Sequence, residues 1–321
     1  MFLQLLVIYL LANAISAKPV HMMVNVLHTE AISQEAHYEN IRNFWTDERL
    51  KAAKPMNLKV KLNHLFGATE ASNSSVSIGT PSSVPGSLPT YNGEMKRALS
   101  LTGRENITKG RVFFQDGNLP YSCSASVVSS NSKDLIVTAG HCVYNATTQI
   151  WHNDHRWVFI PAYSNGNQPY GIWPGRNFLI ESAYQSGDDN FDVAFVALST
   201  LNQRHIQEVV GAQGIGFSQP RSAQIDSFGY PSNILMGEYL EHCSAKAQPS
   251  RYHVNNYIGQ GLPCIMSHGC SGGPWIQDID STGIGYVTSV NSFVIDNIPN
   301  VMNGPYFENT IQSLYDKATS M

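Results

Sequence analysis

Short runs rich in β-branched and aromatic residues, separated by Gly, Pro and Asn, make up most of the chain beyond Gly110. Many short strands divided by turn residues are typical of a β-barrel or a β-sandwich. Ile311, Leu314 and Tyr315 then recur at the spacing of one helix face, so we predict a short amphipathic C-terminal helix over residues 307–318. The predicted strands cover residues 111–114, 124–129, 135–138, 157–160, 192–198 and 284–293.

The composition excludes some classes of function. The chain of 321 residues contains 20 basic and 24 acidic residues, for a net charge of −4. Nucleic-acid binding needs a basic excess that neutralises phosphates, so we predict no nucleic-acid partner. Hydrophobic residues make up 42% of the sequence, which is enough to bury a substantial core.

The N-terminal residues predict export. Residues 1–17 form an apolar run closed by small residues, and both 12–14 and 15–17 offer small-residue cleavage sites. A membrane anchor is the alternative, but the apolar stretch ends near Ala12 and is shorter than the ~20 residues that span a bilayer. We therefore predict a signal peptide over 1–17, a secreted extracellular protein and no membrane partner.

Two further features fit a secretory route. The five cysteines would enter an oxidising compartment, where pairing is the default, and an odd number leaves one unpaired. Sequons at Asn73, Asn106 and Asn145 predict N-glycosylation.

The layout of residues 18–97 suggests a pro-region. Residues 31–54 carry apolar residues at helical spacing until Pro55, which predicts a helix. Residues 71–89, rich in Ser, Gly and Pro, predict a mobile linker, and the dibasic pair Lys96-Arg97 follows. We predict maturation after Arg97, although a dibasic pair is also common as a solvated surface feature.

Three side chains could together activate a hydroxyl for attack on a carbonyl, which needs a nucleophile, a base and a group that orients the base. A strand runs into Thr-Ala-Gly-His-Cys, which offers His141 as the base, and Asp192 opens an apolar strand as the orienter. Asp188 and Asp189 compete with Asp192, but we expect them in a solvated turn. Ser271 lies in Gly-Cys-Ser-Gly-Gly-Pro, where the backbone can turn sharply.

Nucleophile and oxyanion hole fall in this one motif. The amides of Gly269 and Ser271 can point together at a carbonyl oxygen that gains negative charge, and each such donor is worth ~3 kcal/mol in comparable enzymes.

These three motifs, in this order, resemble the signatures of trypsin-fold serine proteases over about residues 110–318. The resemblance implies an all-β fold of two antiparallel six-stranded barrels, about 110–205 and 206–305, within a peptidase domain of 98–321. It also implies a His141–Asp192–Ser271 triad that cleaves peptide bonds through an acyl-enzyme, with protein or peptide substrates. We predict a monomer that needs no cofactor or metal. Residues 110–114, 229–231 and 261–264 are most similar to the glutamyl-endopeptidase-like branch.

Other readings stay open at this point. A catalytically dead homologue could serve as an extracellular binding protein, and an esterase could use the same triad. Cys270 could be a nucleophile, but glycines fall two residues before and one after Ser271, whereas His268 and Ser271 hold those places around Cys270. We therefore expect Cys270 to be an extra thiol.

The resemblance implies a Cys123–Cys142 disulfide that braces the loop of His141. Given that bridge, we pair Cys243 with Cys264, which leaves Cys270 free; spacing alone does not fix the connectivity.

The resemblance also assigns the specificity pocket. Trypsin-like enzymes that cleave after Arg or Lys carry a carboxylate where this chain has Ile265, so we do not expect that preference. Asn291 holds the place of a His found in glutamyl endopeptidases, and His268 would lie at the pocket mouth. Ser292 would bond to Asp192, and Phe293 would form an apolar wall for the substrate.

Two further expectations concern activation and metals. Cys270 replaces the Asp that pairs with the new amino terminus in trypsin-like zymogens, so we expect activation without that ion pair and a pro-region that aids folding or inhibits. The run Trp151-His152-Asn153-Asp154-His155 could be read as metal ligands, but we expect a solvated turn because no further ligands accompany it.

Overall fold

The computed structural model describes residues 22–25, 34–57, 79–90, 107–152, 156–252, 256–295 and 298–321. The predicted signal peptide, the pair Lys96-Arg97 and the sequons at Asn73 and Asn106 lie outside these residues. Among the helices of the described residues, none combines the length and apolar character needed to cross a membrane.

The described residues form short strands and a few helices. The strands are β1 (Met22–Asn25), β2 (Lys54–Pro55), β3 (Ser82–Val84), β4 (Lys109–Asp116), β5 (Leu119–Val127), β6 (Leu135–Thr138), β7 (Tyr144–Asn145), β8 (Ile150–Trp151), β9 (Val158–Pro161), β10 (Trp173–Ile180), β11 (Ala194–Leu198), β12 (Gly214–Phe217), β13 (Gln224–Gly229), β14 (Glu241–Lys246), β15 (Gln248–Pro249), β16 (Gln260–Pro263), β17 (Pro274–Gln277), β18 (Tyr286–Val290), β19 (Phe293–Ile295) and β20 (Ile298–Gly304). The α-helices are α1 (Gln34–Phe44), α2 (Asp47–Ala52), α3 (Ser182–Gln185), α4 (Ile206–Val210) and α5 (Asn309–Ala318).

The first half of the fold is a closed antiparallel barrel of six strands. The ring runs β10-β11-β6-β5-β4-β9, and β9 pairs back with β10. Alternate residues of each strand point inward, as the period of two along a strand requires, and fill the interior with apolar side chains. Val112, Val127, Ile136 and Val196 share this face and are all fully buried. This barrel confirms the prediction for the first half.

The second half combines two sheets. One has six strands in the order β14-β13-β17-β18-β12-β3, with β12 and β18 parallel. The other has four strands in the order β15-β16-β20-β19. The all-β fold is therefore confirmed, and α5 closes the chain as predicted, with Ile311, Leu314 and Tyr315 buried.

The prediction of a mobile linker over 71–89 is wrong for residues 79–89, which are the part that the structure describes. Residues 82–84 form β3 at the edge of the six-stranded sheet, paired antiparallel with β12. The amides and carbonyls of Ser87 and Ala212 exchange two hydrogen bonds of 2.8 Å. A segment poor in apolar residues can thus be ordered by backbone hydrogen bonds, which composition does not register.

The single helix expected over residues 31–54 is divided in two. The chain leaves the helix at Trp45, and Thr46 caps α2 by accepting a hydrogen bond from the Arg49 amide. The break places Trp45 and Leu50 on the same side of the chain, and both are buried against the first barrel.

The edge pairing of residues 79–90 predicts the effect of a substitution. Ser87→Pro removes the amide that bonds to Ala212, and we expect it to lower the free energy of unfolding by about 1–3 kcal/mol. Ser87→Ala keeps that amide and loses only the bond from Gln207 to the Ser87 hydroxyl, so it should cost about 1 kcal/mol or less. Urea denaturation of both variants measures the difference, and equal costs would contradict an integral edge strand.

Candidate active site

The first barrel brings His141 and Asp192 together. His141 lies in a single 3-10 turn, Gly140–Cys142, directly after β6, and Asp192 precedes β11, which pairs with β6. The His141 amide donates to Asp192 Oδ1 at 2.8 Å, and the imidazole Nδ1 lies 2.9 Å from Asp192 Oδ2. The carboxylate therefore holds both the backbone and the ring of His141.

The second half of the fold completes the environment of Asp192. Ser292 Oγ donates to Asp192 Oδ2, as the sequence predicted. Complete burial favours a higher pKa for Asp192, but the nearby His141 and the hydrogen bonds from His141 and Ser292 outweigh it and lower the pKa. Asp192 therefore stays ionised in a site without water contact.

Ser271 lies in a tight turn that other elements hold from both sides. The turn needs residues with positive φ, and Gly269 and Gly272 supply them at +92° and +79°. The Ser124 amide of β5 donates to the Ser271 carbonyl at 2.7 Å, and its hydroxyl donates to the Gly269 carbonyl at 3.0 Å. The Gly272 amide donates to the Asn291 carbonyl at 2.7 Å.

The loops of His141 and Ser271 are in contact. Cys142 Sγ lies 3.7 Å from the Ser271 carbonyl oxygen, and a Cβ on Gly272 would lie 2.0 Å from Thr138 Oγ1. Within the described part of the chain, Nε2 of His141 is buried and has no hydrogen-bond partner. Nδ1 faces the carboxylate, and in the tautomer with the ring proton on Nδ1, Nε2 is free to accept a proton.

Two residues that the sequence analysis did not assign hold the His141 turn in place. His152 is buried, not in a solvated turn as expected, and its Nε2 lies 2.9 Å from the His141 carbonyl. Burial lowers the pKa of His152, which favours the neutral ring that donates this bond. Trp157 Nε1 donates to the Cys142 carbonyl at 2.9 Å.

The residues assigned to the specificity pocket lie in different environments. Asn291 is fully buried and its amide is saturated: Oδ1 accepts from Ser227 and Trp275, and Nδ2 donates to the carbonyls of Phe228 and Cys270. No group of this side chain is left for a substrate, so it acts as a support for the Ser271 turn.

Phe293 is buried against Tyr252 and Tyr257, with ring centroids 4.9 and 5.4 Å away. His268 and Ile265 are exposed, the latter by 60%. Six residues before Ser271, the chain therefore presents an exposed apolar side chain.

The turn before Asp192 is less solvated than the sequence analysis expected. Tyr252 donates to Asp189 Oδ2 at 3.1 Å, and burial, followed by repulsion from Asp192, raises the pKa of Asp189 to about 6. Asp189 nevertheless makes no hydrogen bond to His141 among the described residues, so Asp192 alone orients the imidazole.

Both predicted disulfides are present. Cys123–Cys142 ties β5 to the His141 turn, and Cys243–Cys264 joins β14 to the residue after β16. Cys270 is free and buried, and burial raises the pKa of its thiol to about 12. Among the described residues, one group of metal-type donors is close enough to share an ion, namely Cys123, His141 and Cys142, but both sulfurs belong to a disulfide.

The sequence matches the trypsin family over residues 103–310, which is more than half of the chain. The chain belongs to the trypsin family. Its fold is similar to the crystal structure of protease Anisep from Arthrobacter nicotinovorans, with 35% identity, a TM-score of 0.62, and coverage of 67% of this chain and 96% of that one. A thermostable serine protease, AL20 from an extremophilic microorganism, gives 32% identity, a TM-score of 0.62, and coverage of 68% and 99%.

A curated relative of this trypsin-family chain is the glutamyl endopeptidase of Bacillus licheniformis, which is 22% identical over 198 residues. The alignment covers 57% of this chain and 60% of that protein, so the chain spans about three-fifths of the relative's length. These similarities confirm a trypsin fold near the glutamyl-endopeptidase branch.

The environment of Asp192 predicts how stability changes with pH. Ser292→Ala removes a donor to the carboxylate and raises its pKa in the folded state. A lowered folded pKa stabilises the protein above the unfolded pKa of about 3.9, and this contribution is lost as the pH falls through the folded value. We therefore expect Ser292→Ala to cost about 1.5–3 kcal/mol at pH 7 and progressively less below pH 4.

Denaturation curves between pH 7 and pH 2 measure this difference. Ser289→Ala is the matched control, because Ser289 is also buried in this region but bonds to the Pro305 carbonyl. The loss of unfolding free energy caused by Ser289→Ala should not change with pH as Asp192 becomes protonated. A cost of Ser292→Ala that stays constant over the same range would contradict the assigned role.

Proposed function

We propose that this protein is a secreted serine endopeptidase that uses His141, Asp192 and Ser271. The observation that carries the proposal is the buried His141–Asp192 pair: Nε2 of His141 is buried and has no hydrogen-bond partner among the described residues, and the His141 loop contacts the Ser271 turn. Membership of the trypsin family and similarity at more than 30% identity to two proteases, one of them a serine protease, support it.

The proposed reaction gives each of these polar groups one role. Nε2 of His141 takes the Ser271 proton as Oγ attacks the substrate carbonyl carbon, and Asp192 stabilises the imidazolium that forms. The amides of Gly269 and Ser271 stabilise the negative oxygen. His141 then returns the proton to the leaving amine, and water hydrolyses the acyl-enzyme by the same steps.

We infer secretion and processing from separate features. The predicted signal peptide over 1–17, two disulfides and N-glycosylation at Asn73, Asn106 and Asn145 together fit an exported protein. The pro-region would comprise 18–97 and the peptidase domain 98–321. The substrates are then extracellular proteins or peptides, and the exposed Ile265 argues against a preference for Arg or Lys before the cut.

Labelling with a fluorophosphonate probe tests the triad. The processed protein should react at Ser271, and Ser271→Ala should abolish labelling and lower kcat/KM for peptides by a factor on the order of 10⁶. Ser267→Ala, four residues earlier in the same loop region, should label and cleave normally. Equal labelling of the Ser271→Ala variant would contradict the proposal, and cleavage of esters without cleavage of any peptide would make the protein an esterase.

Cys270 provides a second test, because a cysteine nucleophile would need an accessible thiolate. With the thiol buried and its pKa raised to about 12, we expect Cys270→Ser to keep peptide cleavage within a few-fold of the parent. Iodoacetamide should leave the parent enzyme active. Loss of peptide cleavage in a folded Cys270→Ser variant, or inactivation by iodoacetamide, would assign the chemistry to Cys270.

A further inference from the structure

Residues 34–57 bind to the first barrel through a buried apolar face. Trp45 Nε1 donates to the Arg156 carbonyl at 2.8 Å, and Leu50 is fully buried. The side chains that the segment buries are Tyr38, Ile41, Trp45, Leu50 and Ala53. They pack with Phe113, Val158 and Ile160 of the first barrel and with Tyr163, Ile172 and Tyr230 beside it.

The end of this segment enters the candidate active site. Lys54 and Pro55 form β2, which pairs parallel with Tyr121 and Ser122 of β5. The Met56 amide donates to the Ser122 carbonyl at 2.9 Å. The Gly269 amide donates to the Met56 carbonyl at 3.1 Å.

The last contact uses a group that the proposed reaction needs. Gly269 is one of the two assigned oxyanion donors, and a backbone amide has a single proton to donate. While Met56 accepts that proton, the substrate carbonyl must compete for it. Loss of one oxyanion donor lowers kcat by about 10²–10³ in comparable enzymes.

We propose that residues 34–57 are a built-in inhibitor of the catalytic site. The two helices bind the apolar face of the first barrel, and Met56 occupies the Gly269 amide. This inference rests on the proposed function, since it assigns a regulator to the same site. The ligand of the catalytic site is then an extended peptide that is anchored by helices, and the chain itself supplies this peptide.

The architecture also determines which processing event relieves inhibition. Residues 79–90 are held separately, on the second half of the fold, through β3, the Ser87–Ala212 pair and the bond from the Thr90 amide to the Glu208 carbonyl. A cut after Arg97 therefore breaks neither set of contacts. In the parent chain, a cut between 57 and 79, or within the segment, lets residues 34–57 dissociate independently of residues 79–90 and release Met56.

The rate of fluorophosphonate labelling of Ser271 in the full chain tests the inhibitor. Leu50→Ala weakens the anchor, and Met56→Pro removes the amide that bonds to Ser122. We expect both to label at least about tenfold faster than the parent. Lys51→Ala is the matched control, because Lys51 is exposed beside the buried Leu50 and should label at the parent rate.

Thermal unfolding shows whether each variant is folded, and Met56→Ala separates the backbone contact from the side chain. Met56→Ala keeps the amide, so it should label more slowly than Met56→Pro. Parent-like labelling of folded Leu50→Ala and Met56→Pro chains would overturn the inhibitor. Absence of Ser271 labelling in every form, cut or uncut, would instead refute the proposed function.

A full chain that can be cut at a chosen place tests inhibition by residues 34–57 without a substitution in that segment. A recognition sequence for a specific protease is inserted between residues 57 and 79, the chain is cut, and the freed N-terminal piece is removed through an N-terminal tag under mild urea. Labelling should rise by at least about tenfold after removal, whereas a chain cut only after Arg97 should stay slow. Equal rates before and after removal would overturn the proposal.

Discussion

A buried negative charge organises the whole site. Asp192 is fully buried, and an unpaired charge in such a place would cost several kcal/mol. Its partners come from both halves of the fold: His141 from the first barrel and Ser292 from the stretch between β18 and β19. The carboxylate is therefore satisfied only when the two halves are docked, which couples assembly of the fold to orientation of the imidazole.

The Ser271 turn depends on the same docking. Ser124 reaches it from the first barrel with an amide and a hydroxyl, while Asn291 reaches it from the second half with its backbone and its side chain. Side chains held on rigid strands keep a reacting geometry better than loops do. The Ser271 turn, which holds the proposed nucleophile and oxyanion donors, is thus supported by β5 on one side and by the residue after β18 on the other, although the motif itself is a loop.

The sequence could predict those parts of the candidate site that short local motifs identify. Glycines around Ser271, the Cys142 next to His141 and the apolar strand after Asp192 identify the parts of the site before any fold is known. The role of Asn291 could not be read in this way, because one polar residue among several between β18 and β19 does not reveal four partners from distant elements.

Other misses have equally physical causes. His152 is followed by polar residues and reads as a turn, but its ring stacks on Phe114 at 4.6 Å, a contact between residues 38 positions apart. Strand β3 and the Met56–Gly269 contact are made by backbone atoms. Backbone contacts leave no pattern of residue types in the sequence, so they can be identified only from the three-dimensional structure.

In residues 34–57, side chains and backbone make different contributions to binding. Two backbone hydrogen bonds give only about 1 kcal/mol each after exchange with water, so Met56 alone would hold the site weakly. Burial of Trp45 and Leu50 supplies the larger share of the binding free energy, at a surface that touches no catalytic atom. The helices therefore supply most of the affinity and Met56 supplies the blockade, so in the proposed mechanism loss of the helix anchor weakens the contact with the Gly269 amide.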